Sequence, residues 1–277
     1  MTRRKCLVLG AGGLVGQRLQ QRLANHPMFE IVAVAGSPSS ADKQLSSIPW
    51  RLDEIRPDLP ELLVVDANDP NLTQHCQSLG VEIAFSGLPS SIAKSVEQVL
   101  VDGGITVFSN SSAYRRKPNV PMIIPEINPH HNYSSKHYCA TNCTLIPLAL
   151  PVAAIAKLSS IVSVKMRSEQ ALSGAGWQLL FDQQALSGNV NPNIDGEADK
   201  TSAELLHVLG SMENQLVTPA KLSLDIKCER ITRRDGHQVF VTLKTQNPLE
   251  LTEIIDQLQA LDIGYELPSK PRQAIHL

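Results

Sequence analysis

The sequence predicts an α/β protein with two domains. A doubly wound parallel sheet is expected over residues 1–137, and an α+β domain with a mainly antiparallel sheet over residues 138–265, followed by a tail at 266–277. Two observations predict this. Short apolar runs alternate with helical patterns in the first half, whereas period-two alternation dominates the second half. The length of 277 residues is enough for two hydrophobic cores.

Composition excludes several classes of function. Hydrophobic residues make up 42% of the chain, charged residues 19%, and the net charge is −2, which is ordinary soluble globular composition without a basic field for nucleic acid. No apolar run reaches the ~18 residues of a membrane span. The five cysteines have neither disulfide nor zinc spacing, so we predict a cytoplasmic protein with no metal, no nucleic acid and no membrane partner.

The first predicted strand, residues 6–9, runs into a glycine-rich turn and then a helical pattern. Strand, glycine turn and helix is the context in which glycines bind a dinucleotide, as in Rossmann-type folds. Gly10 allows the tight turn, Gly13 lets the backbone approach a pyrophosphate, and Gly16 lets the helix and the strand pack closely. The alternative is a turn with no ligand. The candidate cofactor residues here are Gly10, Gly13, Leu14, Val15 and Gly16.

The second predicted strand, residues 31–35, favours NADP over NAD. An NAD-preferring site usually carries Asp or Glu at this strand end. Here the chain has Gly36-Ser37-Pro38-Ser39-Ser40, with Lys43 nearby. The hydroxyls of Ser37 and Ser39 are therefore candidates for holding a 2′-phosphate, and the alternative is a plain loop.

Further strands are predicted at residues 62–65, 81–85 and 106–109, with a helix at 90–100. The carboxyl ends of parallel strands form the ligand-binding edge of such a sheet. Ser86, Leu88 and Pro89 follow one strand there and are candidate cofactor residues. Arg115 and Arg116 follow the next strand and suit an anionic substrate, although a solvated loop explains them equally well.

Cys143 is the candidate nucleophile. A polar segment runs directly into an apolar stretch from residue 145, which predicts Asn142 or Cys143 in the first turn of a helix. Free N–H groups and the helix dipole favour a thiolate at that place. A thiolate can attack a carbonyl carbon and hold it as a thioester. The alternative is a small, buried and inert cysteine.

The rest of the chain predicts the α+β domain. Strands are expected at residues 162–166, 222–228 and 239–245, the last two joined as an antiparallel pair by the turn at 233–236. Helices are expected at 201–209 and 249–261, and residues 187–196 are a loop. The open face of the sheet is a candidate surface for a homodimer or homotetramer.

Several strings of residues stand in a fixed order from residue 5 to about residue 275. They are the glycine turn, Ser86-Gly87-Leu88-Pro89, Ser109-Asn110 with Tyr114-Arg115, residues 120–129, Asn142-Cys143-Thr144, residues 170–176, Gly196-Glu197 with Lys200, and Asp235-Gly236-His237. Together they resemble the aspartate-β-semialdehyde dehydrogenase family, in its archaeal and fungal branch. The resemblance implies NADPH-dependent reductive dephosphorylation of β-aspartyl phosphate, on the route to lysine, threonine and methionine.

The resemblance also implies a role for each site residue. Cys143 would form the thioester, His237 would be the general acid or base, and Gln170 would orient the intermediate. Substrate would be held by Asn142, Glu197, Arg230, Arg115 and Lys200, the last two on its phosphate. Gly174, in the Ser173–Gly176 turn, would contribute to the cofactor site. Taken alone, His237, Glu197 and Arg230 also fit ordinary surface positions.

The chain departs from the family pattern at Thr141, at Ala198 and around Arg233, and it stops at Leu277, where family members continue with a helix that returns to the nucleotide domain. That segment carries an Asn that contacts the nicotinamide, so looser nicotinamide placement is expected. Two alternatives follow. One is reduction of an acyl thioester such as malonyl-CoA, and the other is a protein that binds or transfers acyl groups without hydride transfer.

Overall fold

The computed structural model describes residues 2–277 and divides into two compact units. The first runs to Pro121 and includes Ser134–Ala140, and the second comprises Met122–Tyr133 and Thr141–Leu277. Residues 122–133, which the sequence prediction placed in the first domain, thus belong to the second. The reason is apolar packing, because Met122 and Ile124 are buried in the second core. The predicted tail belongs there too, with Ala274 and Ile275 packed against that core.

The first unit contains a six-stranded parallel sheet with helices. From one edge to the other, its strands are β3 (Val64–Asp66), β2 (Phe29–Gly36), β1 (Arg4–Leu9), β4 (Ile83–Ser86), β5 (Thr106–Ser109) and β6 (His137–Cys139). This confirms the predicted doubly wound sheet and adds a short sixth strand that the sequence did not indicate. The helices are α1 (Leu14–Leu23), α2 (Leu72–Ser78) and α3 (Ser90–Asp102).

Strand β1 shows why the first apolar run is continuous. Leu7 and Leu9 enter one core cluster, whereas Cys6 and Val8 enter another. Successive side chains of a strand point to opposite faces, so a strand covered on both faces needs apolar residues throughout. Burial raises the pKa of the Cys6 thiol to about 12 and that of Cys76 to about 11. Neither thiol is therefore a nucleophile at neutral pH.

The second unit contains a three-stranded sheet, a two-stranded hairpin and five helices among the described residues. Its helices are α4 (Leu145–Ala156), α5 (Trp177–Leu180), α6 (Gln183–Leu186), α7 (Glu197–Val208) and α8 (Leu251–Gln259). Its strands are β7 (Ile161–Gln170), β8 (Ser211–Glu213), β9 (Leu216–Thr218), β10 (Ser223–Arg230) and β11 (Gln238–Thr245). Within residues 2–277, no helix combines the length and the apolar character that crossing a membrane requires.

The predicted pairing of β10 with β11 is wrong. The sheet order is β10-β7-β11, with β10 parallel and β11 antiparallel to the central strand, so the three-stranded sheet is mixed. Residues 231–237 pass over the end of β7, where the N–H groups of Leu172 and Ser173 donate to the carbonyl oxygens of Arg233 and Arg234. Alternation identifies the buried face of a strand but not its neighbour.

Helix α4 begins two residues after the predicted nucleophile. Thr144 is its N-cap and Leu145 its first residue, so Cys143 precedes the helix instead of lying in its first turn. Asn142 explains the later start, because its side-chain Oδ1 accepts the Leu145 N–H at 2.8 Å. A side-chain acceptor of this kind satisfies an N–H that has no partner inside the helix.

Candidate active site

Cys143 and His237 lie in hydrogen-bond contact within the second unit. Nε2 of His237 is 3.0 Å from Sγ of Cys143, although the residues are 94 positions apart in the sequence. Cys143 is the exposed cysteine, whereas Cys6, Cys76 and Cys139 are buried and Cys228 is half-buried. A thiol next to an imidazole, open to solvent, is the arrangement of a nucleophilic cysteine.

The other nitrogen of His237 accepts a backbone hydrogen bond. The N–H of Ala171, just after β7, donates to Nδ1 at 3.1 Å. Burial lowers the pKa of His237, the positive charge of Arg230 lowers it further, and Glu197 opposes both effects. The imidazole is therefore neutral at neutral pH and able to exchange a proton.

Gly174 lies against this imidazole. A Cβ at Gly174 would stand 3.1 Å from Cε1 and 3.4 Å from Nε2 of His237. The role of Gly174 in the cofactor site, which the resemblance implies, stays a prediction. Within the second unit, the absence of a side chain at Gly174 leaves His237 room to reach Cys143.

Gln170 joins the loop that carries Cys143 to helix α7. Its buried side chain stands at the end of β7, where Nε2 donates to Oγ1 of Thr144 at 2.6 Å and to Oε1 of Glu197 at 3.0 Å. Thr144 is the residue after the nucleophile. Gln170 thereby ties the nucleophile loop to the first residue of α7.

A positive and a negative side chain, Arg230 and Glu197, belong to the same unit as the Cys143–His237 pair and act electrostatically on His237. Arg230 ends β10, and its Nη1 donates weakly to the carbonyl oxygen of Ala171 at 3.4 Å. Burial lowers the pKa of Arg230, while the charges of Cys143 and Glu197 raise it, which places those groups near the guanidinium. Lys200 lies one turn after Glu197 on α7, so both residues are on one face of the helix.

The structure adds three residues that the sequence reading did not select. Oε2 of Glu204 accepts a hydrogen bond from the backbone N–H of Asn142 at 2.7 Å. Oγ1 of Thr201 accepts one from Nδ2 of the Asn142 side chain at 3.3 Å. The third residue, Thr144, accepts the hydrogen bond from Gln170 described above. Asn142 is therefore held within the protein by α7. Only the structure shows that Glu204 is buried within α7, and a buried carboxylate on an amphipathic helix is the signal that identifies this role.

In the first unit, the candidate phosphate ligand Arg115 follows β5. Its Nη2 donates to the carbonyl oxygen of Asn110 at 2.8 Å, which holds the guanidinium on its own loop. Ser86 ends β4, and its carbonyl oxygen accepts the N–H of Asn110 at 2.9 Å. The loops that begin after Ser86 and Ser109, and that carry Leu88, Pro89 and Arg115, therefore start together at the carboxyl edge of the sheet, as predicted.

The glycine turn has the close packing that a dinucleotide site needs. A Cβ at Gly16 would stand 2.0 Å from the carbonyl oxygen of Gly10, and one at Gly10, whose φ is +80°, would stand 2.9 Å from that of Gly87. Gly13 is the N-cap of α1 and, having no side chain, caps none of its N–H groups. Those groups, which include Leu14 and Val15, suit a phosphate.

A cluster of hydroxyls lies at the end of β2, where the adenosine ribose of a dinucleotide would bind. Oγ of Ser37 is 2.9 Å from Oγ of Ser39 and 3.2 Å from Oγ of Ser40. No Asp or Glu occupies residues 36–40. Hydroxyl donors without a carboxylate fit a 2′-phosphate better than a bare 2′-hydroxyl.

Across residues 2–277, the structure arranges no three His, Cys, Asp or Glu side chains to hold a metal ion.

Two features define the class of protein. One unit contains a sheet of the nucleotide-binding type, and the other contains a thiol–imidazole pair with an arginine and a glutamate nearby. Together they are typical of nucleotide-dependent reductases that work through a cysteine. Residues 5–135 match the family model described as the NAD binding domain of semialdehyde dehydrogenase. The chain is 33% identical to aspartate-semialdehyde dehydrogenase of Archaeoglobus fulgidus, over 97% of this chain and 79% of that protein. It is 32% identical to the Aspergillus fumigatus enzyme, over 99% and 80%. The chain belongs to the aspartate-semialdehyde dehydrogenase family.

One solved structure agrees with this membership, and a second shares the fold. The crystal structure of aspartate semialdehyde dehydrogenase with NADP from Candida albicans matches with a TM-score of 0.77 and 27% identity, covering 94% of this chain and 76% of that one. A Vibrio cholerae structure, aspartate semialdehyde dehydrogenase II, matches at 0.73 with 18% identity and shows the fold alone.

Proposed function

We propose that this chain catalyses the NADP-dependent reductive dephosphorylation of L-β-aspartyl phosphate to L-aspartate 4-semialdehyde. The observation that carries the proposal is the 3.0 Å contact between Cys143 and His237, with Arg230 and Glu197 beside it. The Cys143 thiolate attacks the acyl carbon, a C–S bond forms, the C–O bond to phosphate breaks, and inorganic phosphate leaves. NADPH, when bound, supplies the hydride that reduces the thioester. The C–S bond then breaks and the thiolate returns as the aldehyde departs.

The second unit supplies the groups that this chemistry needs. His237 donates a hydrogen bond that stabilises the thiolate, and it exchanges a proton with the oxygen of the reacting carbonyl. The guanidinium fork of Arg230 suits the substrate carboxylate, and Glu197 suits its ammonium group. Gln170 is placed between Thr144 and Glu197, from where it would orient the thioester.

The remaining site residues keep their proposed roles. Arg115 and Lys200 are cations suited to the phosphate of the substrate. For NADP, the uncapped start of α1 suits the pyrophosphate, and the hydroxyls of Ser37 and Ser39 suit the 2′-phosphate. The other proposed cofactor residues are Gly10, Gly13, Leu14, Val15, Gly16, Ser86, Leu88, Pro89 and Gly174.

The test is NADP reduction by the purified chain with aspartate semialdehyde and phosphate, beside Cys143→Ser. We expect turnover that requires phosphate and is lost in the variant. Turnover that ignores phosphate but requires coenzyme A would assign the chain to acyl-CoA reduction instead. No NADP reduction with either acceptor, while Cys143 still alkylates readily, would contradict hydride transfer altogether.

We further propose that the outer face of the β10-β7-β11 sheet pairs two copies of the chain. Phe240 is 44% exposed on that face, Val162 is 46% exposed, and the guanidinium of Arg167 lies 4.6 Å from the Phe240 ring centroid. Aromatic and arginine side chains are enriched in protein interfaces. Light scattering should give twice the chain mass, and Phe240→Glu should shift it to one chain. A monomeric parent would refute the pairing.

A further inference from the structure

Glu204 is a buried carboxylate that makes a hydrogen bond to the backbone next to the nucleophile. It is 2% exposed, and its Oε2 accepts the N–H of Asn142 at 2.7 Å. Burying a carboxylate is costly unless hydrogen bonds replace its water. A bond from a backbone N–H to a carboxylate is roughly twice as strong as one between neutral groups. The Asn142 peptide therefore has a strong fixed point on α7.

Asn142 is fixed a second time through its side chain. Nδ2 donates to Oγ1 of Thr201 at 3.3 Å, and Oδ1 accepts the N–H of Leu145 at 2.8 Å. Thr201 and Glu204 are three residues apart and so lie on one face of α7. The residue before Cys143 is thus tied to α7 by its backbone and by its side chain, and to the start of α4.

The same helix carries Glu197, a charged residue of the site, at its first position. Glu197, Thr201 and Glu204 follow one another at spacings of four and three residues, the repeat that places side chains on one helical face. Gln170 donates to Glu197, the first residue of this row. It also donates to Thr144, the residue after Cys143. Helix α7 therefore sets the position of the nucleophile loop relative to Glu197.

We propose that Glu204 is a positioning residue. It holds the Asn142–Cys143 peptide, and through that peptide it keeps Sγ of Cys143 in its position relative to His237 and Glu197. It acts on the reaction only through the backbone, and its kinetic consequence rests on the function proposed above. A misplacement of about 1 Å at a reacting atom can cost about a hundredfold in rate. The loss should therefore fall on kcat and not on substrate affinity.

The first experiment compares Glu204→Leu, which removes the acceptor, with Glu204→Gln, which keeps the shape and one acceptor oxygen. In the NADP reduction assay, the leucine variant should lose about 10- to 100-fold in kcat with the KM for aspartate semialdehyde nearly unchanged. The glutamine variant should retain most of the rate. Ser202→Ala, which removes a hydroxyl bonded to the carbonyl oxygen of Ala198 on the same helix, is the matched control and should change neither value.

The second experiment follows alkylation of Cys143 by iodoacetamide against pH, and it needs no dehydrogenase activity. Charged groups that act on the Cys143–His237 pair include Arg230 and Glu197. If Glu204 positions Sγ against His237, its loss in the leucine variant weakens thiolate stabilisation and raises the midpoint. If Glu204 acted through its own negative charge, removing it would favour the thiolate and lower the midpoint.

The direction in which the alkylation midpoint shifts therefore distinguishes positioning from a direct charge effect. A higher alkylation midpoint in Glu204→Leu, with Glu204→Gln close to the parent, supports the proposal whether or not the parent reduces NADP. An unchanged midpoint, or a lower one in both variants, overturns it. Should Glu204→Leu fail to fold, Glu204→Asp keeps the charge but withdraws the acceptor from the Asn142 N–H, and it should raise the midpoint by a smaller amount. No change in the aspartate variant would then overturn the proposal.

Discussion

The backbone N–H of Ala171 donates to Nδ1 of His237 at 3.1 Å, while Nε2 of the same ring faces Sγ of Cys143 at 3.0 Å. An N–H donor requires a lone pair on Nδ1, so the neutral imidazole carries its proton on Nε2. His237 therefore faces the nucleophile as a hydrogen-bond donor, which stabilises a thiolate.

The tautomer can be measured directly. In a chain with 15N-labelled histidine, with His237 assigned from the spectrum of a His237→Gln variant, Nε2 should show the shift of a protonated nitrogen and Nδ1 that of an unprotonated one. His137, whose Nε2 lies 3.0 Å from Oε2 of Glu97, provides a second ring in the same spectrum. A protonated Nδ1 at neutral pH would contradict the geometry.

The pKa of His237 should lie below the ordinary value of about 6.5. Burial is the largest cause and the cation of Arg230 the second, and both disfavour the imidazolium. The ring thus stays neutral to a lower pH than an ordinary histidine does, and activity that needs neutral His237 should persist to correspondingly lower pH. An NMR titration of the ring measures the midpoint.

Arg230→Met separates the two causes. Removing the cation should raise the pKa of His237, because a neighbouring positive charge no longer opposes protonation, but burial should keep it below about 6.5. Lys221→Met, on the segment before β10, is the matched control and should leave the titration unchanged. A lower midpoint in the Arg230 variant would contradict the assigned cause.

Gly174→Ala should impair catalysis through His237. The added Cβ would stand 3.1 Å from Cε1, so the ring must move by a few tenths of an ångström away from its place beside Cys143. We expect about a tenfold fall in kcat and a slower alkylation of Cys143. The neighbouring Ser173→Ala, which adds no atom beside the ring, should behave like the parent. An unaffected alkylation rate in Gly174→Ala would show that the ring position does not depend on this glycine.

Gly16→Ala should destabilise the first unit. The new Cβ would lie 2.0 Å from the carbonyl oxygen of Gly10, a distance that only a shift of the turn can relieve. Strain of this kind typically costs about 1–3 kcal/mol in the free energy of unfolding, measured with denaturant. Gly12→Ala is the matched control, because its Cβ would make an ordinary 3.5 Å contact with Ile48. Equal stability of the two variants would contradict the prediction.

Local pattern was enough to predict much of the fold. Apolar runs between turn residues predict the parallel strands, and the spacing of Gly10, Gly13 and Gly16 predicts the turn before α1, because both depend on neighbours in the chain. The family resemblance selected Cys143 and His237 from order and spacing, and the structure brings their reactive atoms to 3.0 Å.

The sequence by itself determined which stretches of the chain are apolar and where the first strand, the glycine turn and the first helix of the first unit lie. Only the tertiary structure decided that β7 separates β10 from β11, that α4 begins after Cys143, and that Glu204 binds the Asn142 peptide. The physical reason is range. Periodicity records which face of an element is buried, whereas the choice of neighbour depends on contacts between residues such as Asn142 and Glu204, 62 positions apart, that no local pattern encodes.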